Sequence, residues 1–255
     1  MMRIPKKRRI NNMFSLYKKE LHSFFYTPFA YTITALFMLL FSFSINNAIT
    51  YLNSSTLQFS FPDIFYTNIF YFIFLVPIMT MRTFADERKF GTEVLLMTSP
   101  MNVFQMVLAK FLALVTVYLV MMASTLLYPI VTAINGKVIV PSLIGVYVGF
   151  FLWGIMCIAV GMFISSLTDN SIIAGILGEA VMLALVYVDN FAQSDFISQY
   201  PKVQSFIIWF AAQPKFAYFA QGLVRMSDVV FFISMMVIFL GWTIISIEKK
   251  RWNRG

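Results

Sequence analysis

Six stretches of this chain are each long and apolar enough to cross a lipid bilayer as a helix. A crossing takes about 20 predominantly apolar residues. The stretches run from about Phe29 to Ala48, Ile64 to Thr83, Val103 to Ala133, Ser142 to Ser165, Ser171 to Val188 and Val229 to Ile247. The third is longer than a crossing requires, so it projects or tilts. Only 12% of the 255 residues are charged and 60% are hydrophobic, whereas an ordinary globular chain is about 25% charged. A soluble domain of this length has no interior large enough for that much apolar surface. The predicted fold is therefore an all-α polytopic membrane protein with six transmembrane helices.

The net charge of +8 does not mark a nucleic-acid-binding face. Its lysines and arginines gather at the chain ends and in one short loop. With the N-terminus inside, fifteen of the nineteen basic residues fall on the cytoplasmic side. These include Arg3 to Arg9, Arg82, Arg88, Lys89, Lys110 and Lys249 to Arg254. Only Lys137, Lys202, Lys215 and Arg225 fall outside. That asymmetry predicts cytoplasmic termini. A signal peptide is not expected, because a helix-patterned polar stretch separates the basic start from the first apolar run and no small-residue cleavage site follows. Cys157 stands alone, and His22 has no ligand-type neighbour. Disulfides and zinc are thus excluded within the chain. No GxxxxGK[ST] phosphate loop occurs, so any ATP that drives this protein must be bound by another chain.

Residues Asn12 to Tyr26 carry Met13, Leu16, Tyr17, Leu21, Phe24 and Phe25 on one helical face and Asn12, Ser15, Lys18, Lys19 and His22 on the other. This pattern predicts an interfacial helix with its apolar side in lipid. Thr27 and Pro28 then form a cap and first turn for span one. Between spans five and six, Asp189 to Asp228 is too aromatic for a disordered loop. Two short helices at the outer surface are expected there. One domain covers residues 1–255: a tail and interfacial helix to 27, a bundle from 28 to 247, and a short tail from 248.

The densest charge between spans lies in Met81 to Pro100. Gly91 can end the helix continuing from span two. Thr92 can cap a short helix through Met97, with Glu93 near its positive end. Phe90, Val94 and Met97 share one face of it. Such a helix suits a groove on a partner or, equally, a place among lipid headgroups.

Within the spans, Glu179 lies about nine residues into the fifth, roughly 13 Å deep. Two readings stand for it: a substrate or proton contact, or a protonated acid bonded to a neighbouring helix. Lys110 is expected to snorkel to the inner headgroups. Gly145, Gly149, Gly154 and Gly161 provide close packing on span four. Asn46 and Asn47 close span one at a polar rim.

The loop from Glu87 to Lys110 resembles the coupling-helix region of ABC-2 type permeases. Their pattern is acidic-basic-Gly-Thr-Glu, a leucine run, Ser-Pro and a lysine. Glu20 to Tyr31, Ser165 to Asn170, Phe219 to Val230 and Ile247 to Trp252 are similar to other segments of that family, in the same order. The gliding-motility-type permeases are the subgroup resembled. The resemblance implies a bacterial inner-membrane exporter in which two permease chains pair, alike or different, and each docks a cytoplasmic ABC ATPase that binds ATP and Mg. An extra subunit with an extracytoplasmic domain is a further partner the family allows. By carry-over, Asp86, Glu87, Arg88, Lys89, Gly91, Thr92 and Glu93 form the docking element, and the interfacial helix is the family's elbow helix. No catalytic, cofactor or metal residue is expected in the chain itself. A membrane enzyme is disfavoured, because no paired intramembrane acids or Ser-His set occur. A channel or secondary carrier is the main rival, with Glu179 its one argument.

Overall fold

The computed structural model describes residues 6–54, 61–93, 101–135, 139–194, 197 and 199–253. Among them the chain forms α1 (Lys6–Tyr26), α2 (Phe29–Ser54), α3 (Phe61–Thr80), α4 (Arg82–Lys89), α5 (Val103–Thr125), α6 (Leu127–Asn135), α7 (Val140–Leu167), α8 (Ser171–Ala192), α9 (Pro201–Phe210), α10 (Gln213–Ala220) and α11 (Met226–Asn253). Six helical stretches are long and apolar enough to span a membrane: Phe29–Thr50, Asp63–Lys89, Val103–Ile134, Val140–Leu167, Ser171–Ala192 and Met226–Lys250. This is an all-α polytopic membrane protein. The short α9 and α10 connect the fifth and sixth spans, as the sequence predicts. α2 continues past Asn46 and Asn47 to Ser54.

α7 is the most deeply enclosed span, while α2, α8 and α11 each leave most of their surface uncovered by the chain. The core around α7 is aromatic. Phe150 lies 5.2 Å from Phe72, 5.3 Å from Phe65 and 6.1 Å from Phe37, centroid to centroid. The tilted and edge-on geometries among them are those favoured by ring quadrupoles. Tyr118 Oη donates to the Phe150 carbonyl at 2.6 Å, which satisfies its buried hydroxyl. The glycines of α7 let neighbours approach closely, as expected. A Cβ at Gly154 would stand 2.2 Å from Tyr118 Cζ, and one at Gly161 2.2 Å from Thr80 Oγ1.

Two spans are broken, each for a local reason. The second turns at Met81, four residues after Pro77. There Ser165 Oγ accepts from Phe84 N at 3.1 Å and Ala85 N at 3.3 Å, and donates to the Met81 carbonyl at 2.9 Å. One hydroxyl of α7 thus serves the unpaired first-turn donors of α4. The third span, expected to be continuous, breaks at Leu126 between α5 and α6. Pro129 has no N–H to give to the Thr125 carbonyl four residues earlier.

α1 differs from the expected lipid-facing helix. It begins at Lys6, and much of its apolar face lies on protein. Leu16 is buried against Met101, Met106 and Ala109, with Met13 and Tyr17 beside it. Tyr17 Oη lies 2.9 Å from Thr116 Oγ1 on α5, and Phe24 and Phe25 pack on the main core. Leu21 is half-buried, while Lys18, Lys19 and His22 stay exposed. α5 supplies the apolar surface that lipid was expected to provide. Thr27 Oγ1 donates back to the Ser23 carbonyl at 2.8 Å, closing α1 instead of capping α2.

Candidate functional site

The termini of α4, the start of α5, the α7–α8 turn, α1 and the end of α11 meet at one end of the bundle, called here the basic end. α4 stops because Phe90 leaves helical geometry and Gly91 takes φ +69°, a left-handed conformation open to glycine without a Cβ penalty. Phe90 N donates to the Asp86 carbonyl at 2.9 Å and Gly91 N to that of Arg88 at 3.0 Å. Thr92 Oγ1 donates to the Glu87 carbonyl at 3.3 Å. Thr92 therefore finishes α4 from behind. Val94 and Met97, expected on the next short helix, lie outside the described residues.

Lys110 does not snorkel. Its side chain is 2% exposed, and its three ammonium donors have three acceptors. These are Glu87 Oε1 at 2.7 Å, Glu20 Oε1 at 3.1 Å and the Thr83 carbonyl at 3.0 Å. The Phe84 ring lies 5.4 Å away. Headgroups are unnecessary because α1 and α4 bring their own acids to the ammonium. Charge-assisted bonds of this kind are short and directional. A single cation thereby ties α1, α4 and α5 together.

Arg88, which the docking pattern offers as a surface charge, is also turned inward, with its side chain 4% exposed. Its Nη2 donates to the Ser166 carbonyl. Nη1 donates to the Thr168 carbonyl at 3.0 Å and to Asp169 Oδ1 at 3.5 Å. Nε donates to Glu93 Oε1 at 3.3 Å. The guanidinium fork thus ties Glu93 to the α7–α8 turn through three nitrogens. Lys250 Nζ of α11 approaches Asp169 Oδ1 at 3.9 Å. Asp86 accepts from Ser171 Oγ, while Asn170 caps α8 by accepting from Ile172 N at 2.9 Å.

The residues read from the sequence as a docking element therefore divide. Asp86, Glu87, Arg88 and Glu93 bind the chain to itself. Lys89, Phe90, Gly91 and Thr92 are exposed, and Phe90 is 71% exposed. The outcome is an exposed tip with the Phe90 ring beside Lys89 and Thr92, standing on two ion-paired anchors. Beside it, α1, α4 and α5 enclose a cavity of about 300 Å³ walled by residues including Lys19, Ser23, Arg82 and Asp86.

Sequence reasoning missed Glu20, Ser165 and Ser166 as members of this site. Glu20 had a signal, being the only acid before Asp63. Glu179 is far from the cluster, on α8. It flanks the stripe Ala174, Gly178, Met182 and Val186 that packs inward. Its Oε1 is buried with no hydrogen-bond partner among the described residues. Among those residues no group of three or more His, Cys, Asp or Glu side chains is placed to hold a metal. No protein-family model matches this chain, and no curated protein matches it.

Proposed function

We propose that this chain is the membrane-spanning subunit of an ATP-driven exporter of the ABC-2 type, with its basic end in the bacterial cytoplasm. A separate ATPase subunit binds ATP and Mg and docks at the tip around Phe90, and a second permease chain completes the pathway. The observation that carries this reading is the exposed Phe90 tip, braced by Lys110 and Arg88. An exposed apolar residue on a flexible loop would transmit little force. One anchored through α1, α5 and the α7–α8 turn can pass a push on the tip to three spans at once. The positive-inside asymmetry and the missing phosphate loop support the same assignment.

The test is purification of the chain from its own membranes with its associated proteins. An ATP-hydrolysing chain should accompany it, and Phe90→Asp should remove that chain while leaving the permease folded. Retention of the ATPase by the Asp variant would overturn the docking site.

A second reading draws on Glu179. A buried carboxyl oxygen in an apolar span, without a partner among the described residues, suits a proton- or cation-coupled carrier. Transport that proceeds without ATP and requires a proton gradient would favour it.

A further inference from the structure

At the basic end a groove of about 470 Å³ runs between α7 and α11. Its walls are Phe163, Leu167, Trp242, Ile245 and Ser246, whose hydroxyl donates to the Ser166 carbonyl at 3.3 Å, and Lys249 and Lys250 stand at one end. The aromatic floor is fixed in place. Trp242 lies 5.6 Å from Phe163 and 5.2 Å from Phe239, centroid to centroid. It is also open to the outside, with Trp242 49% and Ile245 61% exposed. Trp242, Ile245 and Lys249 follow one another at helical spacings of three and four, so they share a face of α11. Seven residues at ~1.5 Å place Lys249 roughly 10 Å beyond Trp242.

An apolar channel that opens sideways toward lipid, with cations only where the span leaves the membrane, has the polarity of a single phospholipid. We propose that the groove holds an acyl chain of an anionic phospholipid, whose headgroup phosphate sits on Lys249 and Lys250. The chain lies along Phe163, Trp242 and Ile245. Charge complementarity selects this occupant. A zwitterionic lipid would bring its own ammonium toward two lysines, whereas an anionic headgroup adds net attraction of the kind basic juxtamembrane pockets provide. Asp169 sits next to Lys250 but is 77% exposed, so water screens its repulsion of the phosphate. The proposal needs the six-span fold and the placement of the basic end at a membrane surface, and no ATPase.

The experiment uses the full chain in lipid nanodiscs and reads tryptophan fluorescence. Trp209→Phe and Trp252→Phe leave Trp242 as reporter beside Trp153, which is 1% exposed. Phospholipids with brominated acyl chains quench a tryptophan they touch. Brominated phosphatidylglycerol in a phosphatidylcholine disc is compared with brominated phosphatidylcholine at the same mole fraction. The glycerol lipid should be preferred by roughly tenfold, within what two lysines near a headgroup supply. Lys249→Gln with Lys250→Gln should abolish the preference but leave quenching by phosphatidylcholine unchanged. Trp242→Phe should remove all dependence on headgroup. Equal quenching by the two lipids in the parent protein would overturn the proposal. So would a preference that survives either the lysine replacements or the loss of Trp242.

Discussion

Lys110 Nζ sits 2.7 Å from Glu87 Oε1 and 3.1 Å from Glu20 Oε1, so two acids from distant parts of the chain, on α1 and α4, share one ammonium. Removing the cation alone leaves two half-buried carboxylates facing each other across the vacated site. Lys110→Met should therefore destabilise strongly, by about 3–5 kcal/mol if it behaves as broken buried pairs do. Combining it with Glu20→Gln and Glu87→Gln should recover most of that loss. Thermal unfolding in detergent measures the series. A Lys110→Met protein as stable as the parent would mean the ammonium is not held inside.

Arg88 should behave as a structural clamp. Arg88→Ala removes a donor from the Ser166 and Thr168 carbonyls and from Glu93 at once. Arg88→Lys should rescue little, because an ammonium cannot span acceptors that a planar fork reaches from three nitrogens. Asp169→Asn, by contrast, should have a small effect, since its carboxylate is 77% exposed and exposed pairs contribute about 0–1 kcal/mol. Melting temperatures should rank Asp169→Asn above both arginine variants. The reverse order would contradict the clamp.

The close approach of α7 to α3 makes a further distinction. Gly161→Val should unfold or misassemble the protein, as its Cβ alone would stand 2.2 Å from Thr80 Oγ1. Gly241→Ala should be tolerated, because a Cβ there meets nothing within 4 Å. Size-exclusion profiles and yields of the two variants report the difference. Equal behaviour would show that α7 and α3 are farther apart.

Much of this fold was legible in the sequence and some of it was not, for physical reasons. Spans reveal themselves because apolar runs need no partner to be recognised. Gly91 was readable as a helix breaker because the requirement is local. The fates of Lys110 and Arg88 were not readable, since burial depends on acceptors brought from α1 and the α7–α8 turn, both remote in the chain. Pro129 did signal the break in the third span, but hydropathy runs straight through it. At the site, the tip was legible through Phe90 and Gly91. The anchors beneath it were not, because charged residues beside an exposed loop look alike whether they face water or each other.

Glu179 separates stability from function. Glu179 Oε1 has no hydrogen-bond partner among the described residues, and a charged acid inside a span carries an insertion penalty of about 2.5–3.5 kcal/mol. Glu179→Leu should therefore leave the protein as stable as the parent or stabler. If the acid contacts cargo or protons, both Glu179→Leu and Glu179→Gln should lose transport. Reconstituted transport and thermal unfolding, measured side by side, check both halves. Loss of stability in the Leu variant would reveal a bonded partner for the acid.

The docking of an ATPase at the tip is the central claim, and a photo-crosslink from position 90 tests it most directly. A benzophenone amino acid replaces Phe90, whose ring is already exposed, so the anchors at Lys110 and Arg88 stay intact. After irradiation of native membranes, the permease should shift by the mass of one partner chain. That partner should itself be labelled by an azido analogue of ATP. A crosslink only to lipid, or to a protein that takes no nucleotide label, would contradict the account.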